Sequence, residues 1–168
     1  HWLSEVPAAA LRAVESMCRS GCRTPRTSSA GRLFDALAAL AGVRLVAGYE
    51  GQAALELEGL ADGARDSGRY PWEITAGRPG LPDEIDTRPL IRAAAGDVRQ
   101  GIAPAIVARR FHNTLVDLAA ETCLRIRGQT GLNAVVLSGG VFCNALLSGE
   151  LPPRLAADGF RVFRHRRV

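Results

Sequence analysis

The segment 135–144 constrains the fold more than any other part of this chain. A β-branched apolar run ends at Ser138 and passes through Gly139 and Gly140 into residues that can form a helix. This order predicts a buried strand, a tight turn and a helix N-terminus. Adjacent glycines let a ligand approach the backbone closely, and the first amides of a helix bind anions. The segment therefore predicts either a phosphate-binding turn or an ordinary strand-to-helix turn.

The length and composition are those of one globular domain or a large piece of one. The chain has 168 residues, of which 47% are hydrophobic and 23% charged. No apolar run approaches the roughly 20 residues that span a bilayer, and no secretory signal is visible. The chain begins with His1 and ends shortly after a predicted strand. We therefore expect a fragment cut at both ends, with residues 1–168 forming part of a single domain.

The charge of the chain does not indicate a nucleic-acid partner. The net charge is +4 and every basic residue other than histidine is arginine. Aromatic residues make up only 5% of the sequence and do not alternate with the arginines, as stacking platforms would require. We expect a mildly basic surface in contact with solvent, with neither nucleic acid nor membrane as a partner.

The four cysteines, Cys18, Cys22, Cys123 and Cys143, do not form a recognisable metal motif. Cys18 and Cys22 would share a helix face, but zinc and redox pairs more often have two intervening residues, and no second pair follows. We expect small buried thiols in a reducing compartment such as the cytoplasm.

The periodicity of apolar residues predicts an α/β fold. Helices are expected at 6–19, 30–41, 52–61, 90–100 and 103–127, with Gly128 ending the last of these. A short edge strand at 70–75 and an extended piece at 85–89 precede the long helix. The chain then closes with a strand at 133–138, a helix from about 141, an interruption at Pro152 and Pro153, and a strand at 160–164. The hydroxyls of residues 27–29 are expected to cap the second helix.

Three blocks of sequence together resemble one family. They are TSSAGRLFD at 27–35, YEGQAA at 49–54 and LSGGVF at 137–142 with Asn144; DTRPL at 86–90 and ARRFHNT at 108–114 add to the match. In order and spacing they resemble the C-terminal part of the hydrogenase-maturation carbamoyltransferases of the HypF type. The resemblance implies a Kae1-like domain, part of an actin/Hsp70-like (ribonuclease H-like) ATPase fold with two lobes around a nucleotide cleft.

The resemblance also implies a reaction. In this family the full protein takes carbamoyl phosphate and ATP and makes a carbamoyl-adenylate in a separate domain. The Kae1-like domain then passes the carbamoyl group to the C-terminal cysteine thiol of a partner maturation protein. The group is later dehydrated to the cyanide ligand of [NiFe]-hydrogenase. The implied substrates are therefore ATP or carbamoyl-adenylate, and a fragment of the domain is expected to be inactive alone.

The same resemblance assigns nucleotide-binding residues. Ser138, Gly139 and Gly140 would lie against the phosphate, and Asp35 would accept hydrogen bonds from ribose hydroxyls. From the residues alone, the preferred interpretation of Asp35 is a solvated aspartate near a helix start. Two further positions implied by the resemblance are Gly51, against the nucleotide, and Asn144, just inside a helix.

The resemblance places the divalent metal of the domain outside this chain. His112 has no second ligand at helical spacing, so we expect a hydrogen-bonded structural histidine. Cys143 stands where the family often has a polar residue; it would be a reactive thiol only if exposed, and we expect it to pack against the helix. No catalytic residue is assigned.

Two other classes of protein remain open from the sequence. One is a non-catalytic nucleotide-binding lobe of another actin-like protein, such as a sugar kinase, and the other is an interaction module that keeps only the fold. The FHNT and YEGQ blocks argue against the first of these.

Overall fold

The computed structural model of the chain describes residues 6–78 and 80–165. Within those residues, no helix is both long enough and apolar enough to cross a membrane. The basic end of the chain at 166–168 lies outside the described residues.

Six helices and four short strands make up the described part of the chain. The helices are α1 (Ala8–Ser20), α2 (Ala30–Leu40), α3 (Gln52–Asp62), α4 (Arg88–Arg99), α5 (Pro104–Thr130) and α6 (Ala145–Ala157). The strands are β1 (Glu73–Thr75), β2 (Glu84–Asp86), β3 (Ala134–Leu137) and β4 (Arg161–Arg164), and a 3-10 turn (Gly140–Cys143) lies between β3 and α6.

The strands form two separate pairs. β1 and β2 are antiparallel, whereas β3 and β4 are parallel and are joined by the 3-10 turn and α6. In the parallel pair Val136 lies opposite Phe163, and both side chains are exposed, by 69% and 53%. The expected α/β class is confirmed, and α6 covers one face of the parallel pair.

The hydrophobic core lies between α2, α3, α5 and α6. The expected apolar face of α2 is confirmed, because Phe34, Leu37 and Ala38 are buried. Phe34 meets Phe111 of α5 edge to face with ring centroids 4.9 Å apart, a favoured aromatic geometry. The long helix α5 therefore holds α2, α3 and the C-terminal strand–helix unit in one core.

The loop after α3 is fixed on α5 by a network of ionic hydrogen bonds. Arg110 donates to Asp66 at 3.0 Å and to Asp97 at 2.8 Å, and the hydroxyl of Tyr70 donates to Asp97 at 2.8 Å. The Arg110 guanidinium holds the pKa of Asp66 below its usual range. Burial, followed by the hydrogen bond to Asp97, raises the pKa of Tyr70.

Two expected helix ends are wrong. α5 continues through Gly128 and ends at Thr130, because Gly131 takes the left-handed conformation (φ 74°) and donates its amide to the carbonyl of Arg127 at 2.8 Å. Gly128 lowers helix propensity by only about 1 kcal/mol, which the packing of a long helix overcomes.

The expected interruption at Pro152 and Pro153 is also wrong, because α6 runs through both residues. A proline inside a helix leaves the carbonyl four residues earlier without its usual donor. For Pro152 that carbonyl belongs to Ser148, and the guanidinium of Arg164 on β4 donates to it at 3.2 Å. A contact with the neighbouring strand thus replaces the missing helical hydrogen bond.

Two expected details of packing and capping differ as well. The apolar stripe of α1 is not covered by any described residue: Leu11 and Val14 are 41% and 58% exposed. On α3 the apolar spacing of Ala53, Leu57 and Leu60 predicts a buried stripe, but Leu60 is exposed and Ala61 is buried in its place. Ser29 occupies the N-cap of α2, but its hydroxyl makes no capping hydrogen bond.

Candidate functional site

A cavity of about 400 Å³ opens where α2, α3 and the 3-10 turn meet. The first turns of α2 and α3 form one side, and the segment between β3 and α6 forms the other. Its lining comprises Ser29, Gly31, Arg32, Phe34, Asp35, Glu50, Gly51, Ala54, Leu55, Glu58, Gly140, Val141, Cys143 and Asn144.

The cavity brings together four of the six residues predicted from the sequence to bind nucleotide. Asp35, Gly51, Gly140 and Asn144 all line it, although they come from three separate blocks of sequence. The other two, Ser138 and Gly139, precede the turn and are exposed but do not line this cavity. The hydroxyl of Ser138 lies 3.1 Å from the Nε2 atom of His165.

The glycine pair makes a turn that other residues could not adopt. Gly139 has φ 93° and ψ 164°, a region of backbone conformation open almost only to glycine. The first hydrogen bond of the turn runs from the amide of Phe142 to the carbonyl of Gly139 at 3.1 Å. The amides of Gly140 and Val141 therefore precede the turn's internal hydrogen bonds.

Gly140 leaves open space beside the backbone. A Cβ atom added there would meet no atom within 4 Å outside its immediate neighbours. The hydroxyl of Ser148 on α6 donates to the carbonyl of Phe142 and holds the turn against the helix. The turn is thus a fixed backbone surface facing the cavity, the kind of surface on which a phosphate can lie.

The expected helix directly after the glycines is replaced by the 3-10 turn, and α6 begins only at Ala145. Two of the first amides of α6 are already bonded within the protein. Glu58 of α3 accepts from the amide of Ala145 at 3.0 Å, and Asn144 Oδ1 accepts from the amide of Leu147 at 3.0 Å. The amides of Ala145 and Leu147 are thus already engaged, and the turn amides that lie at the cavity are those of Gly140 and Val141.

Asn144 is the N-cap of α6 and is linked to α5 by His112. Its Nδ2 atom lies 3.0 Å from Nε2 of His112, whose Nδ1 lies 2.8 Å from the carbonyl of Ala108. His112 is fully buried, and burial is the main cause that lowers its pKa. The prediction of a hydrogen-bonded structural histidine is confirmed.

Asp35 lies in the cavity wall beside the guanidinium group of Arg32. Its carboxylate forms an ion pair with Arg32 at 2.8 Å, and its side chain is 34% exposed. Glu50 and Glu58 add two further carboxylates to the same lining. Carboxylates accept hydrogen bonds from hydroxyl groups, so this side of the cavity suits the sugar rather than the phosphate of a nucleotide.

Gly51 sets the direction in which the chain enters α3. It is the N-cap residue and has φ 82°, in the left-handed region that favours glycine. The side chain of Gln52 accepts from the amide of Gly48 at 2.7 Å and donates to Glu56 at 3.0 Å. These hydrogen bonds of the Gln52 side chain stabilise the turn. Gly51 has no side chain, so it exposes only backbone atoms to the cavity.

The expected burial of the cysteines is wrong for three of them. Cys18, Cys22 and Cys143 are exposed, and only Cys123 is partly buried. Burial raises the pKa of Cys123. Cys143 does not pack against α6 as expected; it lies exposed in the 3-10 turn and is one of the residues that line the cavity.

Sequence reasoning did not find Arg32, Glu50 and Glu58. Arg32 and Glu50 lie inside the blocks that carry the resemblance, so their positions were a usable signal. Glu58 lies about two helical turns after Gly51 on the same face of α3.

Across residues 6–78 and 80–165 no group of three or more histidine, cysteine or acidic side chains could hold a metal ion.

Comparison with protein families gives a match over almost the whole chain. The family described as "Carbamoyltransferase, Kae1-like Domain, second subdomain" matches residues 2–168.

Similar proteins are carbamoyltransferases. The carbamoyltransferase HypF of Rhizobium leguminosarum bv. viciae is 42% identical over 136 residues, which are 81% of this chain and 17% of that protein. The carbamoyltransferase HypF2 of Cupriavidus necator is 33% identical over 178 residues, covering 92% of this chain and 22% of that protein. The chain thus spans about a fifth of the length of these relatives.

Solved structures show the same fold. A full-length HypF in a phosphate- and nucleotide-bound form superposes with a TM-score of 0.89 and 35% identity, covering 98% of this chain and 21% of that one. The HypF of T. kodakarensis has the same fold, with a TM-score of 0.80 and 24% identity, over 98% of this chain and 20% of that one.

Proposed function

The chain belongs to the HypF carbamoyltransferase family, and we propose that the protein carrying it transfers a carbamoyl group from carbamoyl-adenylate to a protein thiol. One observation carries the proposal: Asp35, Gly51, Gly140 and Asn144, predicted from separate blocks, line one cavity. Residues 1–168 are proposed to form the C-terminal portion of the Kae1-like domain, without a complete active site and inactive alone.

The proposed acceptor is the C-terminal cysteine of a partner maturation protein. Its thiolate would attack the carbamoyl carbon, forming an S–C bond while the C–O bond to the adenylate phosphate breaks and AMP leaves. The thiocarbamate would then be the precursor of the cyanide ligand of [NiFe]-hydrogenase. Carbamoyl phosphate and ATP supply the adenylate in another domain. Since the acceptor must be a free thiol, we place the reaction in the cytoplasm.

Different residues of the cavity would bind different parts of the adenylate. The amides of the 3-10 turn at Gly140 would bind the phosphate, and Ser138 and Gly139, directly before the turn, would lie against it. Asp35 would accept from the ribose hydroxyls, and Gly51 would form the wall against which the nucleotide packs. Asn144 would contact the nucleotide from the end of the turn.

A divalent metal belongs to the proposed reaction, and we propose that its ligands lie outside this chain. The described residues do not fit one, because they bring no set of ligands together. No step is therefore derived through a metal, and no residue of this chain is proposed as catalytic.

A valine at Gly140 tests the proposal. The space beside Gly140 is open, so Gly140→Val should fold in the intact protein while its side chain fills the place of the phosphate. We expect loss of nucleotide binding at this site and of transfer to the partner thiol, with carbamoyl-phosphate-dependent conversion of ATP to AMP retained.

Gly149→Val is the matched control. Gly149 lies on α6 with equally open space at its Cβ position and does not line the cavity. It should leave transfer unchanged. Normal transfer by Gly140→Val would contradict the proposed site.

A further inference from the structure

The hydrogen bond between His112 and Asn144 joins the centre of α5 to the cavity wall. The two residues are 32 positions apart, and both are buried, with 0% and 7% exposure. Asn144 lines the cavity, whereas His112 lies behind it. A side chain that holds Asn144 from the core side therefore also sets which atoms of the Asn144 side chain face the cavity.

The partners of the two side chains allow only one arrangement of hydrogens. The carbonyl of Ala108 can only accept, so Nδ1 of His112 carries the proton and donates at 2.8 Å. Nε2 then has a free lone pair and accepts from Nδ2 of Asn144 at 3.0 Å. The amide oxygen of Asn144 faces the other way and accepts from the amide of Leu147.

This arrangement fixes the amide orientation of Asn144. A flipped amide would turn its oxygen toward the lone pair of His112 and its NH₂ group toward the Leu147 amide, which also donates. Both contacts would become repulsive at once. The neutral, Nδ1-protonated histidine therefore determines which side of the asparagine amide faces which neighbour.

The surroundings of His112 keep it neutral. Its ring lies edge to face with Phe34 and Phe111, with centroids 5.6 and 5.8 Å away. The charged groups that act on it are Glu58 of α3, Arg109 of α5 and Glu150 of α6. Arg109 donates to both carboxylate oxygens of Glu150, at 2.7 and 2.8 Å, so these two charges largely cancel.

We propose that His112 is a positioning residue of the nucleotide cleft, which acts by holding the Asn144 amide in one orientation at the cavity wall. This rests on the proposed function, because the ligand held at that wall is the nucleotide. His112 does not line the cavity, and the proposed effect passes through its hydrogen bond to Asn144 rather than through its ring packing against Phe34, which a phenylalanine at position 112 would keep.

The test compares two replacements of His112 in the intact protein. His112→Phe keeps an aromatic ring of similar size but has no acceptor for Asn144. His112→Gln offers an amide oxygen near the position of Nε2. We expect the AMP dissociation constant, measured by calorimetry, to rise about tenfold in His112→Phe, as the loss of one buried hydrogen bond does. In His112→Gln it should stay within about threefold of wild type, the size of a partial loss of the same bond.

Asn144→Asp provides a second, independent readout. The aspartate can still cap α6, but its second oxygen repels the lone pair of His112 unless the ring is protonated. We expect AMP binding by Asn144→Asp to change with pH between about 6 and 8, near the ordinary histidine pKa. The phosphate of AMP itself titrates at about pH 6, so wild type supplies the baseline, and Asn144→Asp should show a pH dependence beyond it.

Each result supports or overturns the inference. Equal AMP affinity in wild type and His112→Phe, equal loss in the Phe and Gln variants, or a pH profile in Asn144→Asp that matches the wild-type profile would overturn it. Failure of the proposed function looks different, because then wild type itself would not bind AMP at this site or Gly140→Val would bind it normally. If His112→Phe does not fold, the Asn144→Asp profile decides.

Discussion

Glu58 of α3 accepts a hydrogen bond at 3.0 Å from the amide of Ala145, the first residue of α6, across 87 residues of sequence. The contact places a carboxylate at the positive end of a helix, where negative charge is stabilised. It also joins the two sides of the cavity directly. The first turn of α6 therefore connects the two walls of the cavity, and the amides that we propose to bind the phosphate lie in the preceding 3-10 turn.

Removing this carboxylate should weaken the fold measurably. Glu58→Ala leaves the Ala145 amide without its partner and removes a favourable charge, so we expect a loss of about 1 kcal/mol in the free energy of unfolding. Glu58→Gln keeps an acceptor oxygen and should lose less than half as much. Chemical denaturation of the three proteins measures both values, and an unchanged stability in Glu58→Ala would show that the hydrogen bond contributes nothing.

Asp35 is predicted to bind the ribose. Asp35→Ala in the intact protein should weaken nucleotide binding by roughly tenfold, since one hydrogen bond to a charged acceptor is worth about 1.4 kcal/mol or more. Titration calorimetry with AMP measures the change.

The matched control for Asp35 is Glu15→Ala. Glu15 also pairs with an arginine on its own helix, Arg19 at 2.6 Å, but it lies on α1 and does not line the cavity. It should leave binding unchanged. If Asp35→Ala loses only thermal stability and binds AMP normally, Asp35 acts on its helix and not on the ligand.

The two glycines of the turn should respond differently to alanine. Gly139 has φ 93°, so Gly139→Ala forces a side chain into a backbone region that costs of order 1–3 kcal/mol. Gly140 has no positive φ and open space around it, so Gly140→Ala should be close to neutral. Thermal unfolding of both variants checks this, and similar losses at both positions would mean that the turn has a different backbone conformation.

The sequence could predict those parts of the site that depend on local pattern. Asp35 and Gly140 lie in short blocks in which a helix start or a strand–turn unit is visible from neighbouring residues. Glu58 could not be found in that way, because its role depends on how α3 packs against α6. The same holds for Pro152: where the helix continues through it, Arg164 from a distant strand bonds the carbonyl that the proline leaves free. Tertiary contacts decide both cases.

The stability of the fold should fall in acid through the network around Arg110. The pKa of Asp66 is lowered in the folded state, first by its hydrogen bond from Arg110. A lowered folded pKa gives stability that is complete above the unfolded value of about 3.9 and is lost as pH falls through the folded value. We expect Asp66→Asn to be less stable than wild type at pH 7 and to lose less between about pH 4 and pH 2. Glu121→Gln, an exposed carboxylate on the same helix as Arg110, is the control and should keep the wild-type slope.

The outer face of the β3–β4 pair should make the 168-residue chain self-associate. Parallel strands are normally covered on both faces, yet Val136 and Phe163 lie opposite each other and are exposed on the face away from α6. We expect the purified chain to form dimers or larger species at micromolar concentration, and to show no metal-dependent transfer from supplied carbamoyl-adenylate to a partner protein.

Replacing both residues by threonine tests this face, because threonine keeps β-propensity while reducing the apolar surface. Val136→Thr with Phe163→Thr should shift the chain toward monomer in sedimentation velocity. Leu81→Thr, which removes a residue that is 64% exposed elsewhere on the surface, should leave the association unchanged. A monomeric wild-type chain with carbamoyl turnover would contradict both the exposed face as an association surface and the proposal that residues 1–168 lack a complete active site.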